Sequence, residues 1–447
     1  MKKFYLLSVM LLLPLLASAQ KYPVDTIKYM GSLDNYVNLV FLGDGYRESE
    51  MNTFVQDVRS ATNAFFQITP WKNYKDYINV FLIKTPSQVS GAGLTPSSAV
   101  NNFYGTTFGY GGIDRLLYPK SLTKVRQVLS NNFPKHNIVV MVVNSTKYGG
   151  AGGEIMTYSK ASQALEIFFH EVGHGFANLA DEYWAEGYQG EKPNMTRTSS
   201  TQSVKWKNWC GTESVSVYPY PENRSWYRPH QNCKMQYLGR EFCAVCRQAI
   251  IESIHKIVNP INSYQPSNRY SVTVGSSRMD FRLDLIKPNP NTLEVTWKLN
   301  GSVIGTGQDA VSLTSNSLTG RNDELVASVE DKTSYLRVDN HSSVHAYSVR
   351  WQLQRGEVSG IDVQSVRTDY VIDPVPFSTQ LKVTCSTVDN RPMRVILSDL
   401  AGAVVAKGKT DKDGICMLNT ASLTNGVYLL SVYDKGKVTY SRKITKK

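Results

Sequence analysis

Three short runs of apolar residues stand out in the first half of the chain. Residues 37–43, 77–84 and 137–144 are rich in Val, Ile, Leu and Phe, and runs of this length and composition predict β-strands. Residues 47–68 have apolar positions at helical spacing. Because strands that alternate with helical stretches are typical of an α/β layer, we expect such a layer in the first domain.

Two further segments have helical patterns. Residues 161–178 are apolar on most sides, which is typical of a buried helix, and residues 244–258 also have helical spacing. Between them, residues 185–240 are rich in Trp, Tyr, Pro, Asn and Arg, which favours a long functional loop region. The Gly-rich stretch at 148–153 predicts another loop, and it lacks the Lys and the spacing of a phosphate-binding loop.

The pattern changes after Asn259-Pro260. Short alternating runs with turn residues between them predict an all-β sandwich over about 270–370, and more short strands follow in 381–447. The polar, Pro-containing stretches at 262–268 and 373–380 predict linkers. A chain of 447 residues is expected to form two to four domains. The expected bounds are 20–260 for the first domain, 268–372 for the sandwich and 376–447 for the C-terminal β domain.

Residues 1–19 have the features of a secretory signal peptide. Lys2 and Lys3 precede an apolar run, and the small residues Ala17-Ser18-Ala19 follow it as a cleavage site. The alternative is a membrane anchor, which needs roughly 20 apolar residues, and this run is shorter. No Cys follows the run to carry a lipid. We therefore expect an exported protein without a transmembrane anchor.

The formal net charge of +12 could indicate a nucleic-acid partner. Residues 381–447, however, hold 12 Lys/Arg and 5 Asp/Glu, a net charge of +7 that is more than half of the excess. The charges elsewhere are mixed and form no nucleic-acid-binding motif. We expect no nucleic-acid partner, and we expect a monomer.

Four of the six cysteines lie near one another in the sequence: Cys210, Cys233, Cys243 and Cys246. In an exported chain such a set favours disulfides. The alternative is a structural four-Cys zinc site, which usually contains two close Cys pairs, and here only Cys243 and Cys246 form one. We expect two disulfide bridges, whose pairing the sequence leaves open.

An H-E-x-x-H motif, formed by His170, Glu171 and His174, lies within the predicted helix at 161–178. Positions four apart share one face of a helix, so both imidazoles could reach one Zn²⁺. Glu171 would face the open coordination side as general base, taking a proton from water and delivering it to the leaving amine. The alternative, two His packed in a core helix, leaves a buried Glu between them with no partner.

A catalytic zinc site needs a third protein ligand and keeps its fourth position open. Asp181 lies seven residues after His174, about 10 Å further along the axis of an unbroken helix. The helix must therefore break, and Asn178 is the predicted point because Asn tolerates left-handed geometry. Glu182 is the rival ligand, and Asp181-Glu182 could also be a solvated acidic pair. We favour Asp181.

Four stretches resemble a known family: NLVFLGDGY (38–46), NIVVMVVNSTKYGG (137–150), HEVGHGFANLADEY (170–183) and NCKMQYLGREFCAVC (232–246). They are similar to the M64 metallopeptidases, the family of immunoglobulin A peptidase, which belongs with the metzincins. The resemblance implies an α/β metzincin-like zinc peptidase domain, followed here by all-β sandwich domains. The family commonly has Gly where this chain has Ala177 and Asn178, a difference that concerns the geometry of the loop.

The resemblance also implies roles for single residues. The three expected zinc ligands are His170, His174 and Asp181. Glu171 would be the catalytic base. Met235 would form the Met-turn beneath the metal, although a Met is also a common core residue. Tyr237 has the spacing of a Tyr that stabilises the oxyanion in some metzincins, although it could also serve only in packing.

The expected activity is that of a secreted zinc-dependent endopeptidase acting on extracellular proteins. The partner is a protein or peptide substrate, with host glycoproteins, immunoglobulins and bacterial proteins all open. The predicted strand at 137–144 would be the edge strand that pairs with an extended substrate, as in metzincins. The alternative is a non-catalytic surface adhesin or binding protein built on the same fold, and the intact Glu171 argues against it.

The C-terminal segment resembles the sorting domain of type IX secretion. The matching stretches are VILSDLAGAVV, LTNGVYLLSVYDKGK and the basic end RKITKK. This resemblance implies the secretion machinery as a partner. The alternative is another small β-sandwich that serves in binding.

Overall fold

The computed structural model describes residues 21–185, 190–320, 322–339, 341–356, 370–385, 392–400, 402–434 and 437–447. They form mostly β-strands, in several sheets, with few helices. The predicted signal peptide at 1–19 lies outside these residues. The chain divides into two compact units, Met1–Gly356 and Glu357–Lys447. Within the described residues, none of the helices has the length and apolar character needed to cross a bilayer.

A six-stranded mixed sheet lies at the centre of the first part of Met1–Gly356. The strands of this part are β1 (Val24–Lys28), β2 (Val37–Asp44), β3 (Ile78–Ile83), β4 (Thr106–Thr107), β5 (Tyr118–Pro119), β6 (Ile138–Val143), β7 (Gly150–Ala151), β8 (Met156–Ser159), β9 (Tyr218–Pro219) and β10 (Tyr227–Arg228). The sheet has the order β1-β3-β2-β6-β8-β7. Its four inner strands are parallel, and β1 and β7 run antiparallel at the edges.

Helices cover both faces of this sheet. They are α1 (Met51–Phe65), α2 (Leu122–Asn132), α3 (Ala164–Ala177) and α4 (Ala244–Ile257). Apolar residues of α1, α3 and α4 share one core with Leu39 and Phe41 of β2, whereas α2 packs on the other face with Val40 and Leu42. A strand buried on both faces has a near-continuous apolar sequence, which is why the runs that form β2, β3 and β6 could be predicted.

The second part of the same unit is a β-sandwich. Its elements are β11 (Ile261–Gln265), β12 (Val272–Val274), β13 (Met279–Leu285), β14 (Leu293–Leu299), β15 (Ser302–Thr306), β16 (Ala310–Leu313), β17 (Asp323–Asp331), the short helix α5 (His341–Val344) and β18 (Ala346–Arg355). The two sheets have the orders β11-β13-β16 and β12-β18-β17-β14-β15. In the core between them, the indole rings of Trp297 and Trp351 stack with centroids 5.8 Å apart.

One predicted linker is in part a strand. Residues 262–268 include most of β11, which pairs with β13 at the edge of the smaller sheet. The stretch is polar because four of the five residues of β11 are exposed to solvent. An exposed edge strand and a linker therefore have similar compositions.

Buried polar contacts join the sandwich to the first part of the unit. The carboxylate of Asp331, at the end of β17, accepts a hydrogen bond from Tyr74 Oη at 2.6 Å and lies 3.2 Å from His255 Nε2. It also accepts from Thr292 Oγ1 at 2.6 Å, within the sandwich. Tyr77 Oη donates to the carbonyl of Ile286 at 2.7 Å. These contacts place the sandwich against the first part through groups that solvent does not reach.

The unit Glu357–Lys447 is a second, smaller β-sandwich. Its strands are β19 (Tyr370–Asp373), β20 (Gln380–Cys385), β21 (Arg394–Ser398), β22 (Val404–Lys409), β23 (Ile415–Asn419), β24 (Gly426–Asp434) and β25 (Lys437–Lys446). They form sheets of the orders β19-β20-β23 and β22-β21-β24-β25. Alternating residues such as Leu381, Val383, Val395 and Leu397 fill the core.

Candidate metal centre

Helix α3 carries the H-E-x-x-H motif and ends where the sequence predicts. Asn178 follows the helix and has φ 53° and ψ 33°, the left-handed conformation. The backbone N–H groups of Asn178 and Leu179 turn back to donate to the carbonyls of His174 and Gly173 at 3.0 and 3.1 Å. This turn reverses the chain immediately after the helix, so that the following residues return toward the motif.

The turn brings together His170, His174 and Asp181, which we call the histidine–aspartate cluster. The two Nε2 atoms are 3.0 Å apart, and Asp181 Oδ1 lies 3.0 Å from His170 Nε2 and 3.2 Å from His174 Nε2. Three donors bound tetrahedrally to one zinc at ~2.0–2.1 Å would be separated by about 3.3 Å. The three atoms thus converge on one point with nearly the spacing that a zinc ion requires.

The other ring nitrogens of the two histidines determine which lone pairs face this point. His170 Nδ1 lies 3.0 Å from the carbonyl oxygen of Lys234, and His174 Nδ1 lies 2.7 Å from that of Leu179. A carbonyl only accepts, so each Nδ1 carries the proton and each neutral ring keeps its lone pair on Nε2. Two such lone pairs beside a carboxylate oxygen repel one another unless a cation lies between them. The donor set therefore fits a divalent metal ion of the zinc type.

Asp181 is held in place from both its backbone and its side chain. The buried Tyr220 donates its hydroxyl to the carbonyl oxygen of Asp181 at 2.8 Å. The hydroxyl of Tyr183 also interacts with the Asp181 carboxylate. Burial works against ionisation of Asp181, but its close contacts with the imidazoles of His170 and His174 outweigh burial and hold the pKa of this carboxyl well below its usual range. Asp181 is therefore an anion at neutral pH, as a metal ligand must be.

Glu171 lies beside the cluster in a space that only glycine leaves open. A Cβ atom added to Gly152, the residue after β7, would stand 1.9 Å from Glu171 Oε2. The negative charges of Asp181 and Glu171 both act on Tyr183, and together with burial, the largest cause, they raise the pKa of Tyr183 to about 12. The Tyr183 hydroxyl therefore stays protonated and remains a hydrogen-bond donor at neutral pH.

Met235 lies against the middle turn of α3 and is fully buried. A Cβ added to Gly173 would lie 2.8 Å from Met235 Sδ, so the thioether packs on the helix between the positions of the two histidines. Tyr237 is 52% exposed, and its backbone N–H donates to the Cys233 carbonyl at 2.9 Å. The structure thus places Met235 next to the motif, whereas the phenol of Tyr237 lies largely in solvent.

The expectation for the strand at 137–144 is wrong. This strand, β6, lies between β2 and β8 in the interior of the sheet, where its backbone groups pair with both neighbours. The edge next to the motif is formed by the two-residue strand β7, which is followed by Gly152 at the Glu171 carboxylate. An apolar run identifies a buried strand, and a buried strand of this kind is an inner one.

Glu182 does not belong to a solvated acidic pair. Its side chain is fully buried with three thiols, and we call Glu182, Cys233, Cys243 and Cys246 the cysteine cluster. Burial raises the pKa of Glu182 well above its usual range. Its Oε1 lies 3.3 Å from Cys246 Sγ, whereas Asp181 Oδ1 lies 3.0 Å from His170 Nε2, so Asp181 is the carboxylate that reaches the histidines.

The two expected disulfides are absent from the structure, in which all six cysteines are free thiols. Cys233, Cys243 and Cys246 converge, but Cys210 is only half-buried and its Sγ lies 3.8 Å from the carbonyl oxygen of Trp206. Because Cys210 lies outside the group, only three of the four cysteines are close in space, which is too few for two disulfides. The fourth donor of the group is a carboxylate instead.

Several residues of the site were not found from the sequence. Tyr183, two positions after Asp181, could have been found only through the contact of its hydroxyl with that carboxylate. Gly152 had a signal, since it lies in a Gly-rich stretch, but the signal did not indicate Glu171 as its neighbour. Glu182 joins residues more than fifty positions away, and no local pattern encodes such a contact.

Several solved structures have weak similarity to this chain. The Bacteroides ovatus mixed-linkage glucan utilization locus protein SGBP-B, in complex with a mixed-linkage heptasaccharide, is 12% identical over 41% of this chain and 47% of that chain, with a TM-score of 0.16. The fibronectin(III)-like modules of Clostridium thermocellum CbhA are 11% identical over 41% of this chain and 92% of theirs, with a TM-score of 0.16. Bacteroides uniformis beta-glucuronidase 3 is 9% identical over 51% of this chain and 30% of that chain, with a TM-score of 0.18.

These scores carry no argument about fold or function. This chain spans less than half of the length of the first and third of these proteins. No curated protein matches the chain.

Family models give a more definite result. Residues 26–225 match the family described as IgA Peptidase M64, and residues 371–447 match the secretion system C-terminal sorting domain. The first match includes the whole histidine–aspartate cluster and ends before Met235. The chain therefore carries an M64 peptidase domain and a C-terminal sorting domain of type IX secretion, which directs export to the cell surface or the extracellular space.

Proposed function

We propose that the protein is a secreted zinc-dependent endopeptidase that hydrolyses peptide bonds of extracellular proteins. The observation that carries this proposal is the convergence of His170 Nε2, His174 Nε2 and Asp181 Oδ1, which lie 3.0–3.2 Å from one another. Two imidazoles and one carboxylate form a typical ligand set of a catalytic zinc, which keeps one position open for water or substrate. The match to a peptidase family supports the same conclusion.

The residues around the cluster have separate roles in this proposal. A zinc ion, when bound, supplies Lewis-acid polarisation of water and of the scissile carbonyl. Glu171, which is not among the ligands, accepts the proton of the attacking water and returns it to the amine that leaves. Tyr237 donates a hydrogen bond to the oxyanion of the tetrahedral intermediate. Tyr183 holds the carboxylate of Asp181 in its binding orientation.

The surroundings of the cluster favour a polypeptide substrate. Strand β7 ends the sheet beside Glu171, and an extended peptide could add to such an edge through backbone hydrogen bonds. Tyr183 and Trp184, which follow Asp181 directly, are 49% and 45% exposed. Exposed aromatic side chains next to a reactive centre offer apolar contact area to substrate side chains. We propose that the metzincin-type arrangement of the fold serves this mode of binding.

Digestion of a diverse protein library by the purified full chain tests the activity. We expect cleavage sites, identified by mass spectrometry of new N-termini, that are absent with a zinc chelator and return when zinc is added. Glu171→Gln is the matched control because it keeps the shape of the side chain and removes its basicity. Cleavage that persists with the chelator, or in the Glu171→Gln variant, would contradict the proposal. Binding of library proteins without cleavage would favour an adhesin.

A further inference from the structure

The cysteine cluster brings four potential ligand atoms together in the interior. Cys233 Sγ lies 3.7 Å from Cys246 Sγ. Glu182 Oε1 lies 3.3 Å from Cys246 Sγ and 3.9 Å from Cys243 Sγ. All four ligand atoms lie within 4.8 Å of one another. They come from three separate segments, since Glu182 follows the turn after α3, Cys233 precedes Met235, and the last two cysteines begin α4.

The carboxylate of Glu182 lacks a partner for one of its oxygens. Oε1 accepts a hydrogen bond from Asn194 Nδ2 at 3.0 Å, whereas Oε2 is buried without a hydrogen bond among the described residues. The described residues also offer Glu182 no ion pair. The nearby Arg228 donates to its backbone carbonyl rather than to its carboxylate. A fully buried carboxylate of this kind is costly unless a cation or a proton compensates it.

The distances in the cluster fit a tetrahedral zinc ion. With Zn–S bonds of about 2.3 Å, the sulfur atoms of a tetrahedral site lie about 3.8 Å apart, and a carboxylate oxygen lies about 3.5 Å from each sulfur. The Cys233 and Cys246 sulfurs are 3.7 Å apart, and Glu182 Oε1 lies 3.3 and 3.9 Å from the sulfurs of Cys246 and Cys243. The remaining pairs of ligand atoms lie within 4.8 Å. A disulfide requires about 2.05 Å between its sulfurs.

Burial disfavours thiolates, but backbone groups near the three sulfurs offset part of that cost. Cys243 is the N-cap of α4 and Cys246 lies in its first turn, where the helix dipole favours negative charge. The sulfur of Cys233 accepts hydrogen bonds from the backbone N–H groups of Cys243 and Met235 at 3.3 and 3.5 Å. Three thiolates and one carboxylate exceed the charge of one divalent ion, and these dipoles offset part of the excess.

We propose that Cys233, Cys243, Cys246 and Glu182 form a second, structural zinc site, distinct from the histidine–aspartate cluster. Four protein ligands complete the coordination, so this site has no open position for water or substrate. Zinc binding displaces the protons of the buried thiols and leaves the oxidation state of sulfur unchanged.

This second site connects to the catalytic one through two short stretches of backbone. Glu182 directly follows Asp181, and its backbone N–H donates to the carbonyl of Met235 at 2.7 Å. Lys234, the residue between Cys233 and Met235, supplies the carbonyl that orients His170. The structural zinc therefore ties the segment that carries the third catalytic ligand to the segment that orients the first.

The proposal is tested by measuring zinc per chain after dialysis against metal-free buffer, together with free thiols in denaturant. We expect two zinc ions per wild-type chain and one in His170→Ala/His174→Ala. X-ray absorption of that double variant should find three sulfur ligands at about 2.3 Å. Cys233→Ser/Cys246→Ser should bind one zinc, and Cys210→Ser, whose thiol lies outside the cluster, should bind two. All six cysteines should titrate as thiols once zinc is removed.

Two results would overturn the second site. One is a Cys233–Cys246 disulfide in the purified protein, with two thiols fewer in the titration. The other is a His170→Ala/His174→Ala variant that folds but binds no zinc. The absorption spectrum of the double variant decides the matter even if the cysteine variants fail to fold. If instead the histidine–aspartate cluster binds no zinc, the wild-type chain would still hold one sulfur-ligated zinc ion. Failure of the proposed function and failure of the second site therefore give different results.

Discussion

Asp181 and Glu182 are neighbours in the chain, yet their carboxylates lie in different clusters. Asp181 Oδ1 is 3.0 Å from His170 Nε2, whereas Glu182 Oε1 is 3.3 Å from Cys246 Sγ. Asn194 fixes this arrangement by pairing with both backbone groups of Ala180 and with the carboxylate of Glu182. One short segment after the helix thereby contributes to the histidine–aspartate cluster on one side and to the cysteine cluster on the other.

Gly152→Ala should displace Glu171, the proposed catalytic base, without touching the proposed metal ligands. The new Cβ would stand 1.9 Å from Glu171 Oε2, so the carboxylate must move. Misplacement of a reacting group by about 1 Å can cost about a hundredfold in rate, and we expect kcat to fall by about that factor. Zinc content should stay at the wild-type value. Gly275→Ala is the control, since its Cβ meets nothing within 4 Å, and an unchanged kcat in Gly152→Ala would refute the placement of Glu171.

Substitution of Tyr183 should change zinc affinity, whereas substitution of Tyr237 should change kcat. Tyr183→Phe removes the hydroxyl that interacts with the Asp181 carboxylate, and loss of such a contact should weaken zinc affinity about tenfold. Tyr237→Phe should lower kcat about a hundredfold with unchanged zinc affinity if its hydroxyl stabilises the oxyanion. Zinc titration and steady-state kinetics on both variants provide the comparison. A Tyr237→Phe enzyme with wild-type kcat would remove that residue from the mechanism.

The buried Asp331 should stabilise the junction between the peptidase part and the sandwich. Burial opposes ionisation, but hydrogen bonds led by that from His255 outweigh it and lower the pKa of Asp331. The stabilisation that ionised Asp331 provides is thus fully present above about pH 4, near the pKa of Asp in the unfolded chain. It is lost as the pH falls through the lower pKa of Asp331 in the folded protein. Removing a buried charged acceptor leaves its hydrogen-bond donors without their partner, so we expect Asp331→Asn to lose about 2–3 kcal/mol in denaturant unfolding at pH 7.

The matched control for this prediction is Asp309→Asn. Asp309 pairs with Lys287 at the surface, and both side chains are about two-fifths exposed. Such a pair contributes about 1 kcal/mol or less. The difference between wild type and Asp331→Asn should shrink as the pH falls below about 4. Equal losses of unfolding free energy in Asp331→Asn and Asp309→Asn would show that the buried carboxylate contributes no more than a surface one.

Removal of residues 376–447 should stop export at the outer membrane. These residues make up most of the segment that matches the sorting domain. The truncated protein should accumulate in the periplasm with its zinc bound, because the histidine–aspartate cluster lies far upstream in the sequence. Cell fractionation and zinc analysis provide the readouts, with full-length Glu171→Gln as a control that is exported but inactive. Normal surface export of the truncated protein would contradict the sorting assignment.

The sequence predicts elements best where local pattern and burial agree. The apolar runs became β2, β3 and β6, and the bend at Asn178 is present because few other residues adopt that conformation at low cost. The resemblance to metzincins wrongly placed β6 at the edge of the sheet, and local composition placed 262–268 in a linker. Neither strand order nor strand pairing is encoded locally. The cysteine cluster shows most clearly what local patterns cannot predict, because its fourth member, Glu182, lies over fifty residues before Cys233.

The most direct test of the account is the zinc content of Asp181→Ala measured beside its peptide turnover, with Glu171→Gln in parallel. Asp181 is expected to be a ligand, so its loss should remove one zinc per chain and the activity together. Glu171 is expected to be a base and not a ligand, so Glu171→Gln should retain the zinc content of the wild type while kcat falls about a thousandfold. Wild-type zinc content in Asp181→Ala, or wild-type turnover in Glu171→Gln, would contradict the assignment of this centre.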